Sequence, residues 1–345
     1  MISRHPMAQW KRTLREKMRA SNERLRLEVN PSNVSLFFIV ALAYFITGKI
    51  GQQLAIPNPT PTAFWPPAGI ALAAIFLKGN RALPGILMGA FLVNFTTTGL
   101  FLVSAGMAIG NTLEAVAGVW LVNRFANGVN AFFKPADVMR YVVFAGVLPA
   151  LIGGAAGVSF LCMGGAAKWS QFQNLWGVWW VGDTLGAIIL GPFLILLLGF
   201  RHHRLSWSET RELTLLIIGL AVICMLDFGP PSVHWVPKLF FCVPFLLWAA
   251  VRFCPLEVSA ACLVMSSLAV SGSLRGFGPY ANTTTAPFMV AGYVTVYSVT
   301  AMVVVAALSA QRREMEELYL KYYRLKDMTV GNDDSLVDEA GRRAS

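Results

Sequence analysis

Charge is scarce in this sequence: Asp, Glu, Lys and Arg make up only 13% of its 345 residues. A soluble domain of that size carries about twice the share, so the composition excludes an ordinary water-soluble fold. Histidine and cysteine are sparse too, with four and five residues. The cysteines (Cys162, Cys224, Cys242, Cys254 and Cys262) form no CxxC pair, and they lie in or beside apolar runs. They read as core thiols, with neither a zinc site nor a disulfide framework. His202, His203 and His234 have no neighbours at ligand spacing, so no metal site and no cofactor is expected. A phosphate-binding Gly-Lys-Ser loop, a nucleophile elbow and a zinc-protease signature are all missing, and no catalytic residue is assigned. No cleavable signal precedes the first apolar run, which follows some thirty mostly polar residues.

What the chain has in abundance is apolar sequence, 56% of the whole. Runs recur from Asn33 to Ala310, and each polar residue within them is an exception to be explained. The pattern predicts an all-α, polytopic transmembrane bundle of about ten spans, near 34–54, 65–79, 83–98, 101–122, 141–163, 174–199, 213–229, 237–252, 257–274 and 287–309. The second and eighth are short for a bilayer whose apolar layer is ~30 Å thick. Residues 1–32 form a basic leader, 33–310 the membrane domain, and 311–345 a cytoplasmic tail.

Basic residues orient the bundle. With the N-terminus inside, eight Lys and Arg fall in the leader, nine in interior loops and seven in the tail, against three outside. This bias puts both termini in the cytoplasm. It also accounts for the net charge of +10 without nucleic acid as a partner. In the leader, Met7, Trp10, Leu14 and Met18 share a face suited to the anionic leaflet, and a disordered basic leader is the alternative. In the tail, a helix near Gln311–Met328 has Met315, Leu318, Tyr322 and Leu325 at heptad-like spacing. It offers a surface to a cytoplasmic signalling protein, or to a second copy in a homodimer. Gly331–Ser345 reads as a disordered end.

Ionisable groups inside a bilayer are costly, which makes Lys49, Glu114 and Asp183 functional candidates. Asn111, Glu114 and Gly118 follow i, i+3, i+7 spacing and share one face. Asp183 and Gly186 share another, just after Trp179 and Trp180, and the glycine admits a close neighbour. Two carboxylates at membrane depth need a cation, with Lys49 the internal candidate, or a proton. A buried polar network, a ligand or proton site, and ion conduction are all open readings. Trp65-Pro66-Pro67-Ala68-Gly69 marks a helix start, where free N–H groups could meet an exterior anion or merely cap the helix beside an interfacial Trp. Asn94, beyond Pro84-Gly85 and Gly89, is a candidate polar bridge between helices.

In order, Trp65-Pro66-Pro67-Ala68-Gly69, Pro84-Gly85 with Gly89 and Asn94, Gly110-Asn111 with Glu114 and Gly118, Trp179-Trp180 with Gly182-Asp183 and Gly186, and Leu246–Ala250 with Arg252-Phe253 resemble the bacterial membrane-associated sensor domain of the first type, the MASE family. The likeness covers roughly residues 33–315. It implies an inner-membrane input module, usually joined to a diguanylate cyclase, phosphodiesterase or histidine kinase. No signature of those outputs follows Ala310, so the expected function is a stand-alone, non-enzymatic sensor. It would bind an unidentified small ligand or read a membrane condition, and signal through a cytoplasmic partner. A secondary transporter, or a receptor that has lost its output domain, are the competing readings.

Overall fold

The computed structural model describes residues 32–53, 64–200, 205–230, 239–280 and 285–343, with side chains to Tyr322. The leader, His202, His203, His234 and Trp235 lie outside the described residues. The architecture is helical, and no strand occurs among the described residues. The helices are α1 (Asn33–Gln53), α2 (Pro66–Lys78), α3 (Leu83–Thr98), α4 (Phe101–Phe125), α5 (Pro135–Tyr141), α6 (Leu148–Met163), α7 (Phe172–Leu185), α8 (Gly191–Gly199), α9 (Trp207–Phe228), α10 (Cys242–Arg252), α11 (Pro255–Leu274) and α12 (Ala286–Arg343).

Among the described residues, seven helical stretches are long and apolar enough to cross a membrane: Asn33–Gln53, Pro66–Thr98, Phe101–Phe125, Pro135–Met163, Trp169–Gly199, Pro255–Leu274 and Ala286–Tyr322. Their outward faces are apolar. On α1, Phe38, Leu42, Ile46 and Ile50 repeat every four residues and are all exposed. In water such a stripe would drive aggregation; in lipid it is an ordinary outer surface. This is a multi-pass membrane protein.

The stretch Pro66–Thr98 is one run by sequence but two helices by direction. Gly79 adopts φ 62, a left-handed conformation that costs glycine nothing, and a short 3-10 turn, Gly79–Ala82, follows. The chain then doubles back, so that Arg81 donates to Asn33 at the start of α1 at 2.6 Å. The beginning of α2 lies against the end of α1, where Gly51 faces Trp65 and Pro66. Helix α3 runs parallel to α1, with Gly85 against Val40, Gly89 against Tyr44, and Val93 against Gly48. Small residues bring these helices close, as lipid-embedded packing favours. The α4–α6 contact is built the same way: a Cβ on Gly110 would lie 3.0 Å from that of Ala156.

Two pairs of helices are joined by π-helical turns rather than loops. Val142–Val147 links α5 to α6, and Gly186–Leu190 links α7 to α8. Each is followed within two residues by proline, Pro149 and Pro192. Proline lacks an N–H and its ring collides with the carbonyl four residues back, so the helix widens instead of continuing. The last helix, α12, keeps helical backbone to Arg343, past the point near Met328 where the tail helix was expected to stop.

Candidate functional site

Four helices send polar side chains to one buried place. Tyr44 of α1, 1% exposed, sits at its centre. Its hydroxyl oxygen accepts from Asn111 Nδ2 of α4 at 3.0 Å, and it is hydrogen-bonded to the indole of Trp65, which can only donate. With two donors on the oxygen, the hydroxyl proton remains for a third partner. Two carboxylates stand within electrostatic reach of that hydroxyl, Glu114 of α4 and Asp183 of α7. Each is 5% exposed, and they interact with one another. Glu114 fills the space that a side chain on Gly153 would occupy, so the glycine of α6 makes room for the acid.

The residues predicted from helical spacing therefore do come together, since Asn111 and Glu114 share a face and Asp183 lies within electrostatic range of Glu114 from another helix. Tyr44 was not among them. The signal was present, because a tyrosine in a buried helix generally finds a partner for its O–H. What was missing was the partner, 67 positions away.

Lys49 does not join the cluster. Its Nζ donates to Gln52 Oε1 at 3.2 Å and to Thr97 Oγ1 at 3.1 Å, near the end of α1, and lies 5.9 Å from the centre of the Phe45 ring. The internal cation expected from the sequence is occupied elsewhere. Among the described residues, no Lys or Arg is paired with Glu114 or Asp183; the ion pairs that form, Arg140–Asp137 and Arg252–Glu212, lie apart from it. Asn94 is buried, but its Nδ2 donates to Ala90 O of its own helix at 2.9 Å. It bridges nothing.

The start of α2 also differs from its sequence reading. Pro66, Pro67, Ala68 and Gly69 are buried rather than turned toward an exterior anion. Pro66 and Pro67 remove two of the N–H groups that a helix start usually offers. The Trp65 N–H donates to Gly182 O at 2.9 Å, and Ala68 N–H to Trp65 O at 3.2 Å. What the segment does is pack. Gly69 and Gly186 touch through their backbones, and a Cβ on Gly69 would lie 2.8 Å from the nitrogen of Gly191. The expected close approach at Gly186 is filled by Trp65 and Gly69.

Around the carboxylates, the two π-helical turns face each other, Gly146 lying against Ile188. Aromatic donors bind carbonyls in and beside them. Trp180 Nε1 donates to Val147 O at 2.9 Å, and Tyr141 donates its hydroxyl to Ala187 O at 3.1 Å. Trp176 Nε1 donates to Leu151 O at 3.3 Å. Trp180 thus ties α7 to the turn before α6, and Trp176 ties it to α6 itself. Widened turns of this kind are frequent at functional sites. Among the described residues, no group of His, Cys, Asp and Glu is suited to hold a metal ion.

The MASE1 family model matches residues 34–312, and the chain belongs to this family. A curated relative is the probable diguanylate cyclase DgcE of Escherichia coli (strain K12), 26% identical over 226 residues. That match takes in 64% of this chain and 19% of the relative, so the chain spans about a fifth of the length of the protein it matches. No solved structure matches.

Proposed function

We propose that this chain is a bacterial inner-membrane sensory module of ten passes, both ends cytoplasmic, whose input site is the Tyr44–Asn111–Glu114–Asp183 cluster. The break at Gly79 and the reversal of α2 against α1 support the larger number of passes, and the inward bias of Lys and Arg supports the orientation. The observation that carries the site is the pair of buried carboxylates from different helices with no basic partner among the described residues. Leaving such charge unbalanced at membrane depth is costly, so the site favours a small cation or a proton. A ligand that bridges α4 and α7 would favour one arrangement of the facing π-helical turns over another, which is what sensing requires. On this reading the chain binds and transmits rather than catalyses.

The signal would leave along α12. At the far end from Ala286, Arg312 bonds to Val251 O of α10, and the Arg313 guanidinium lies 4.6 Å from the centre of the Phe133 ring. Beyond them, Met315, Leu318 and Tyr322 are exposed and offer a face to a cytoplasmic output or a second copy.

The test is tryptophan fluorescence of the protein in lipid nanodiscs, titrated with a series of small alkylammonium ions and with acid. A saturable change that Glu114→Gln and Asp183→Asn both abolish is expected. A response that survives in both variants would remove these carboxylates from the site. Glu114-dependent accumulation of the ion in sealed vesicles would make the protein a transporter instead.

A further inference from the structure

Away from the acidic cluster, α10 is tied at both ends to the same two neighbours. At one end, Cys242, its first residue, lies beside Cys224 of α9, with the sulfurs 3.7 Å apart. Tyr293 of α12 donates its hydroxyl to Cys242 Sγ at 3.2 Å. At the other end, Glu212 of α9 accepts from Arg252 Nε at 2.9 Å, from Arg252 Nη2 at 2.8 Å and from Trp248 Nε1 at 2.8 Å. There too α12 takes part, through Arg312 on Val251 O. The two ties sit at the ends of an eleven-residue helix, about 15 Å of rigid rod apart.

We propose that Cys224 and Cys242 form a redox-responsive dithiol, and that α10 transmits its state to the Arg252–Glu212 clamp. A disulfide needs sulfurs about 2.05 Å apart; the two thiols stand 3.7 Å apart and are both buried, so the α9–α10 contact must open to admit the oxidant. The oxidant is a disulfide, R–S–S–R. One thiol loses its proton, and the thiolate attacks R–S–S–R and expels R–S⁻. The second thiol, deprotonated in turn, displaces the remaining R–S⁻ from the mixed disulfide. The Cys224–Cys242 bond forms, two R–SH carry off the two protons, and two electrons pass from the dithiol to the oxidant. Once bonded, Cys242 is held to α9, and the Tyr293 hydroxyl faces a poorer acceptor, which frees the start of α12.

The orientation rests on the proposed topology, which places this end of α10 outside the cytoplasm, where disulfides persist. Cys162 and Cys262 are buried without a second thiol at hand among the described residues. Cys254, the exposed cysteine, follows the clamp by two residues and serves as a native reporter of it.

The experiment uses the full chain in right-side-out and inverted vesicles, equilibrated in buffers of reduced and oxidised glutathione. Peptide mass spectrometry should find a Cys224–Cys242 bond that forms with glutathione disulfide on the outer side and reverses with dithiothreitol. The maleimide-labelling rate of Cys254 should change several-fold between the two states. That change should vanish in Cys224→Ser and Cys242→Ser and persist in Cys262→Ser. No such bond in any buffer overturns the dithiol, and a bond with unaltered Cys254 labelling overturns the transmission. A bond formed only in inverted vesicles would overturn the outward placement. The bond and the Cys254 labelling are read without any ligand at Glu114 and Asp183, so a failure of the proposed input site would show itself separately, in the tryptophan fluorescence.

Discussion

Asn111 and Tyr44 meet at 3.0 Å from helices 67 positions apart, and the hydroxyl they share is also bonded by Trp65. One phenol oxygen therefore joins α1, α2 and α4. Replacing Tyr44 by Phe keeps the ring and strands two half-buried donors, at a cost of up to about 1–3 kcal/mol. The variant should melt at lower temperature in nanodiscs, and much of the loss should return in Tyr44→Phe/Asn111→Leu, which removes one orphan donor along with its acceptor.

Neutralising the acids should have the opposite signature. Had Glu114 or Asp183 been half of a buried ion pair, removing it would cost about 3–5 kcal/mol. Neither has a basic partner among the described residues, so Glu114→Gln and Asp183→Asn should leave the melting temperature unchanged or raise it, while abolishing the response to ligand. Lys49→Met should alter neither quantity much, because Lys49 serves the Gln52–Thr97 contact.

The glycine contact between α2 and the π-helical turn after α7 sets a sharper demand. A methyl group on Gly69 or Gly186 would run into backbone atoms rather than a movable side chain. Gly186→Ala should destabilise by about 1–3 kcal/mol, the usual cost of overpacking. Gly292, in α12, has no atom within 4 Å of a Cβ built on it. Its replacement by Ala should be neutral or stabilise by about 0.5–1 kcal/mol. Thermal melts of the two variants side by side test the difference.

Acid should loosen the clamp at the end of α10. The Arg252 guanidinium, and then the Trp248 indole, hold the Glu212 carboxyl down to about 2, against about 4.3 for a free glutamate. A carboxyl whose folded value is depressed contributes its stabilisation above the unfolded value and loses it as the pH falls toward the folded one. Between about pH 4.3 and 2 the wild type should therefore lose stability faster than Glu212→Gln.

Much of the site was legible in the sequence because helical periodicity is local. Asn111 and Glu114 share a face by spacing alone, and Glu114 and Asp183 were marked by the cost of charge in lipid. Lys49 was marked by the same rule and then misplaced, because its rotation about α1 and its depth depend on what α3 presents to it. Tyr44 passed as one aromatic among many until Asn111 and Trp65 were seen to converge on it. Pro66 and Pro67 announced a helix start, but only packing revealed that the start is buried against Gly182 and Gly186.

The sequence by itself determined the class: scarce charge and recurrent apolar runs allow a helical membrane protein and little else, and the ordered motifs pointed to its family. Tertiary structure decided the pairings, namely that two carboxylates meet without Lys49, that the prolines widen two turns that then face each other, and that Cys224 comes to lie against Cys242. The division follows from range. Hydropathy and spacing act within a few turns of one helix, whereas each of these pairings depends on how separate helices rotate and press together.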